Sequence, residues 1–304
     1  MSTDLAITHP PTASRAAWHA RFLALAEVSL AFALMHVAFR AFKRFTSVGQ
    51  MEWKHDVNFS AGAALIAVGV AFILLRRKRL ADHAITARNF SRHANAGLVC
   101  VLVYGAVAAI AIACGLRRDA TWRNPVVGVA AIALHLLVSF LMLWALRRWD
   151  GAIARWPGWI GVAFLIVLPL APIIPRLAEG KPIGHTALVV LSIILSATIA
   201  EEVFFNGYMQ SRLNEAFGRP WRTFGVAFGP SLLIVAFFFG LVHLLNTFDY
   251  FRWQGRLAWW WGFSAAAALF HGLLREKTGS IVAPAIVHAF MDIASRTPGL
   301  VAEP

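Results

Sequence analysis

Acidic residues are scarce in this chain. Its 304 residues include 15 Asp and Glu against 28 Lys and Arg, charged residues make up 14%, and there are two cysteines and three tyrosines. The cysteine count excludes a disulfide framework. Cys100 and Cys114 stand in one apolar run, about 21 Å apart along a helix, and cannot bridge. There is no CxxC and no HExxH, so no local thiolate or zinc-protease signature is present, and no cofactor is implied. The low charge, with 59% hydrophobic residues and a mean hydropathy of +0.65, excludes an ordinary soluble domain. A net charge of +13 could suit nucleic acid. The basic residues instead stand between apolar runs, as in Arg76-Arg77-Lys78-Arg79, Arg117-Arg118 and Arg147-Arg148. That pattern fits loops meeting anionic lipid headgroups, and the bilayer rather than nucleic acid is the expected partner.

What is abundant is apolar sequence. Nine runs cover 22–39, 57–75, 96–116, 125–146, 159–175, 183–206, 223–246, 257–274 and 280–295. They predict an all-α fold, a polytopic transmembrane bundle of about 8–9 helices. Pro169, Pro172 and Pro175 interrupt the fifth run. Tryptophans near run ends, Trp53, Trp122, Trp156, Trp159 and Trp253, fit interfacial anchoring. The distribution of Lys and Arg leans slightly toward a cytoplasmic N-terminus. An excess of arginine over lysine and abundant alanine fit a GC-rich bacterial genome, hence a multi-pass protein of a bacterial inner membrane. The expected organisation is a polar tail over 1–21, accessory transmembrane helices over 22–180, a catalytic core over 181–296 and a tail over 297–304.

Against this background the intramembrane ionisable groups stand out. Glu27, His36 and His135 occur singly in the N-terminal half, whereas Glu201, Glu202, His243, His271, His288 and Asp292 crowd the C-terminal third. A carboxylate at membrane depth costs about 2.5–3.5 kcal/mol on insertion scales and marks a functional site by default. Two adjacent ones repel, so Glu201 and Glu202 need a cationic partner or a shared proton. His288 and Asp292 are four apart and share a helix face, so Asp292 can accept a hydrogen bond from the imidazole and fix its orientation. His243 and His271 each read more simply as core histidines, and Glu27 as a bundle-facing carboxylate bonded to a neighbouring helix.

Three patterns in order resemble the CAAX prenyl protease and bacteriocin-processing family of intramembrane glutamic proteases. They are Glu201-Glu202-Val203-Phe204-Phe205-Asn206, then Phe239 with His243, then His288 with Asp292, the last led in by Thr278-Gly279-Ser280-Ile281-Val282-Ala283-Pro284. The resemblance covers about 185–296. It implies an intramembrane endopeptidase acting on a membrane-embedded or membrane-anchored protein or peptide. In that reading Glu201 activates water, Glu202 orients its neighbours or shares a proton, and His243 helps hold the water. His288 donates to the oxyanion with Asp292 orienting it, while Asn206 and Phe239 meet the substrate. Asn206 stands where the family has arginine, so the charge of the pair must be balanced otherwise, by His243 or by a retained proton. Arg212 lies too far along the helix to substitute.

Topology sets a condition. Glu201 and His243 both fall late in consecutive, antiparallel runs, and they meet only if the sixth helix continues past Phe205 to about Asn214. No breaker intervenes before Gly218-Arg219-Pro220. Other readings of the same residues are a zinc metalloprotease using Glu201, His243 and His288 or His271, with zinc as cofactor, and a non-enzymatic transporter or immunity protein on the same bundle.

Overall fold

The computed structural model describes residues 15–113, 125–153, 156–246, 248–249, 254–255 and 260–303. Cys114, Arg117-Arg118, Trp122, Trp253 and most of the N-terminal tail lie outside them. The described residues form eleven α-helices and two short hairpins.

Helix α1 (Arg15–Phe45) is followed by α2 (Ser47–Lys54), whose first turn is capped by the Thr46 hydroxyl accepting from the Gly49 amide at 2.9 Å. Helix α3 (Phe59–Leu75) leaves α2 at a bend of 120°. Then come α4 (Phe90–Ala113) and α5 (Pro125–Ile153), which opens on a proline, a residue that costs nothing at a helix start. The proline-rich fifth run is broken as its sequence predicts, into α6 (Trp159–Val167), a 3₁₀ turn (Leu168–Leu170) and α7 (Ile173–Ala178).

Helix α8 (Gly184–Phe217) runs unbroken for 34 residues, so the condition set by the sequence is met and Glu201 lies at mid-helix. It is wound as π-helix over Ile193–Ala200 and Glu202–Met209, wide turns that occur chiefly at functional sites. The seventh apolar run does not form one helix. Its first residues make an antiparallel hairpin, β1 (Trp221–Thr223) with β2 (Val226–Phe228), pairing Trp221 with Phe228. Phe224 and Gly225 at its turn both have positive φ, the signature of a type I′ turn. Helix α9 (Pro230–Asn246) follows, then hairpin β3 (Phe248–Asp249) and β4 (Gln254–Gly255), α10 (Trp260–Thr278) and α11 (Val282–Ala302). Helical backbone thus begins inside the stretch read as an N-terminal tail and persists through most of the C-terminal one.

Among the described residues, four helices are long and apolar enough to cross a bilayer: Ala17–Phe45, Phe90–Ile110, Gly128–Arg148 and Gly184–Phe217. The bent α2–α3 pair makes a fifth if it is counted as one span. By length and composition, the described helices do not by themselves account for the 8–9 spans expected. The prolines divide the fifth run, and the hairpin shortens the seventh to a 17-residue helix. Large apolar side chains lie exposed along these helices, among them Val37, Leu137, Phe140 and Trp144, as lipid contact requires. Trp53 and Trp159 are exposed near helix ends. The chain is an integral membrane protein.

Two large apolar clusters form most of the interior among the described residues. In one, α1 and α3 pack on α8 and α9 through Val28, Met35, Ile73, Phe204, Tyr208 and Val235. In the other, α4 and α5 pack on α10 and α11 through Val99, Met142, Phe270 and Val287. The helices of 22–180 are therefore interleaved with those of 181–296. Where α3 crosses α8, Gly62 lies so near Ser196 that a Cβ would fall 2.6 Å from its hydroxyl. That close approach seats α8 against the N-terminal helices just before Glu201.

Candidate active site

Helices α8, α10 and α11 bring their ionisable groups together between the two apolar clusters. The centre is Glu202, only 1% exposed in its side chain. Its Oε1 lies 3.0 Å from Nδ1 of His288, in hydrogen-bond geometry, and 3.1 Å from Nδ1 of His271, off the line of a hydrogen bond. Its Oε2 accepts from Nδ2 of Asn206 at 2.6 Å. Asn206 follows Glu202 by one helical turn, so this contact is local to α8, whereas the imidazoles arrive from α11 and α10.

The other edge of His288 points to different carboxylates. Its Nε2 stands 3.8 Å from Oε2 of Glu201 and 3.7 Å from Oδ2 of Asp292. These separations exceed a direct hydrogen bond and suit a group held between the partners. The short contact that fixes the ring thus comes from Glu202 and not, as the i,i+4 spacing suggests, from Asp292. The reason is position: Asp292 sits one turn along α11, with a side chain 35% exposed, while Glu202 faces the ring from the next helix.

His243 projects from α9. Its Nδ1 donates to the Phe239 carbonyl at 2.8 Å, which in the neutral ring leaves Nε2 as an acceptor. The Phe239 ring is buried, 4.7 Å from the His243 ring and 5.9 Å from that of His288. It links the second pattern of the sequence to the third.

The counter-groups of Glu202 differ from those the sequence suggests. The imidazoles that reach it are those of His288 and His271, and Asn206 supplies an uncharged donor. Arg212 is engaged elsewhere, with Nε 2.6 Å from Glu27, which also accepts from the Tyr208 hydroxyl at 3.2 Å. Glu27 is thus a bundle-facing carboxylate held by a neighbouring helix. His36 stacks on Phe32, and His135 lies against Tyr104 and Phe263, as core histidines. His271, which the sequence reads as a core histidine or as a ligand in the zinc alternative, is a member of the site. The glycine beside it, Gly272, which admits α8 and α9 closely, was the available signal.

Glu201 also faces the opposite way. It lines a cavity of about 420 Å³ between α1, α2, α3, α8 and α9. Met35, Phe39, Leu65, Phe205 and Val242 supply its apolar wall, and Arg40, Lys43, Glu52, Asp56 and Asn58 a polar margin. The N-terminal helices, in which the sequence shows no motif, build most of this chamber.

A metal could also find ligands in the cluster. The donor atoms of Glu202, His271 and His288 lie within 4.8 Å of one another. This set contains Glu202 in place of the Glu201 expected for a zinc site.

Comparison with known proteins bears on this arrangement. No curated protein and no solved structure matches the chain. The family model described as type II CAAX prenyl endopeptidase Rce1-like matches residues 183–294, the stretch from the start of α8 into α11 that carries every acid and imidazole of the cluster. Over those residues the chain is similar to the Rce1-like CAAX endopeptidases.

Proposed function

We propose that this protein is an intramembrane endopeptidase in which Glu201 activates water to hydrolyse a peptide bond of a membrane-associated protein or peptide. The observation that carries the reading is the double placement of Glu201. It lines the chamber on one side and stands 3.8 Å from Nε2 of His288 on the other. A substrate in the chamber meets the carboxylate where the polar cluster begins.

The roles follow from the donors and acceptors. Glu201 takes a proton from water as the oxygen attacks the carbonyl carbon, then returns it to the departing amine. Nδ1–H of His288 is committed to Glu202. Donation of Nε2–H to the oxyanion therefore requires the doubly protonated ring, a cation that Glu202, Glu201 and Asp292 surround. Glu202 is the anchor of His288, held in turn by Asn206 and flanked by His271. Nε2 of His243 accepts from the attacking water. Asn206 and Phe239, assigned to substrate contact by the resemblance, are buried and do not line the chamber; Asn206 acts through Glu202, and Phe239 packs on His243 and His288. The substrate is membrane-associated because the chamber lies among span-length helices.

The test is cleavage of membrane peptides by the wild type and by Glu201→Gln. The variant should fold normally and cleave nothing, and full activity would refute the base assignment. The compact donor set of Glu202, His271 and His288 supports a second reading, a bound divalent metal. One equivalent of metal by elemental analysis, with activity lost on chelation and restored by zinc, would favour it. Metal-free, chelator-resistant activity would favour the glutamic mechanism.

A further inference from the structure

Glu202 begins a buried polar stripe whose farther members, Gln210 and Asn214, lie outside the three sequence patterns and the proposed chemistry. Asn206, Gln210 and Asn214 follow it at intervals of four, on the same face of α8, and they are 3%, 0% and 7% exposed. The stripe is about 18 Å long. It ends in a network on α10: Nε2 of Gln210 donates to Glu276 at 2.8 Å, and Nδ2 of Asn214 donates to the same oxygen at 2.6 Å. Arg219, whose side chain is 43% exposed, donates to the other oxygen at 2.7 Å. That end of the bundle carries exposed charge. Arg76 pairs there with Glu215 at 2.7 Å, and the neighbouring Lys78 and Arg79 are exposed. Hydrogen bonds run from Arg219 to Gln210 and from Asn206 to Glu202, with one break, between Asn206 and Gln210.

At the break stand two acceptors with no donor. Oδ1 of Asn206 and Oε1 of Gln210 are buried without a hydrogen-bond partner. The amide orientations cannot be exchanged to relieve this, because both NH₂ groups are used: Nδ2 of Asn206 on Glu202, and Nε2 of Gln210 on Glu276 and on the Gly272 carbonyl at 3.1 Å. Both acceptors face Gly272 of α10, where a Cβ would come 3.0 Å from the Gln210 oxygen and 3.5 Å from that of Asn206. Buried carbonyl-type oxygens without a protein donor are characteristically met by ordered water.

We propose that Asn206 and Gln210 hold water at Gly272 and that this water completes a hydrogen-bonded chain from the exposed, charged end of the bundle near Arg219 to Glu202. The role assigned to the chain rests on the protease reading. The bridged stripe fixes the Asn206 amide, and through it the Glu202 carboxylate that anchors His288, during turnover.

The experiment has two arms. A water-resolving structure of the wild type in lipid nanodiscs should show density within hydrogen-bond distance of Oδ1 of Asn206 and Oε1 of Gln210. This arm needs no activity, so it stands or falls apart from the protease reading, which fails instead if wild type and Glu201→Gln process the same peptides. In the second arm, Gly272→Ala places its methyl in the water cradle. The added Cβ also meets Leu232 at 2.4 Å, so the variant is made together with Leu232→Ala, and Leu232→Ala alone is the control. The double variant should melt like the control while kcat falls about fivefold or more at unchanged KM. Empty density at both oxygens, or a double variant with the control's kcat, overturns the proposal.

Discussion

Replacing Glu202 by Gln isolates the anchor from the base. In the wild type one carboxylate oxygen accepts from His288 at 3.0 Å and the other from Asn206 at 2.6 Å. Glutamine keeps the shape but has one acceptor and one donor. If its oxygen serves His288, its NH₂ faces the NH₂ of Asn206. That clash is relieved when the Asn206 amide turns and offers Oδ1, which accepts from no protein donor in the wild type. The fold should therefore survive. What is lost is the charge on the acceptor facing His288. Hydrogen bonds to charged groups are worth about 1.5–3 kcal/mol, and about 1.4 kcal/mol corresponds to tenfold in rate. The expected result is a fall in kcat of about tenfold to a hundredfold, with KM little changed because the chamber is untouched. The assay is steady-state cleavage, in nanodiscs, of a peptide that the wild type processes and Glu201→Gln does not. A Glu202→Gln enzyme with wild-type kcat would refute the anchoring argument. So would loss of folding, because the amide exchange would then have failed.

Other outcomes follow from the same geometry. Asp292→Asn should reduce kcat by less than about tenfold, since its carboxylate stands 3.7 Å from His288 and is partly solvated; a loss as deep as that of Glu201→Gln would give Asp292 a direct chemical role. Ala61→Trp should fill the chamber and raise KM about tenfold or more at similar stability, which substrate titration and a thermal melt together would show. Phe204→Ala should destabilise the bundle by about 3–5 kcal/mol, because the ring is fully buried where α3 meets α8, measured as a lowered unfolding midpoint in detergent.

Much of the site was legible because its signals are local. Glu201 and Glu202 announce themselves by the cost of charge in an apolar run, and the lack of a breaker before Gly218 correctly extends α8 past Phe205. The i,i+4 pairing of His288 with Asp292 was read correctly as a shared face but not as the tightest contact, because sequence spacing says nothing of a carboxylate arriving from another helix. The same blindness left His271 between a core histidine and an alternative zinc ligand until Glu202 is seen beside it. The stripe from Glu202 through Asn206 and Gln210 to Asn214 was within reach of periodicity, since four-residue spacing defines a helix face. The chamber was not, because Met35, Phe39 and Leu65 are ordinary core residues in sequence and acquire meaning only around Glu201. The hairpin at Phe224-Gly225 was masked by the apolar residues on either side of its turn.

Glu201 as the base of an intramembrane hydrolysis is tested most directly by comparative peptidomics of membranes from cells expressing the wild type or Glu201→Gln at equal levels. A defined set of membrane-associated peptides should be cut in the wild type and remain whole in the variant. Identical peptide inventories from the two, or cleavage that persists with glutamine at 201, would contradict it.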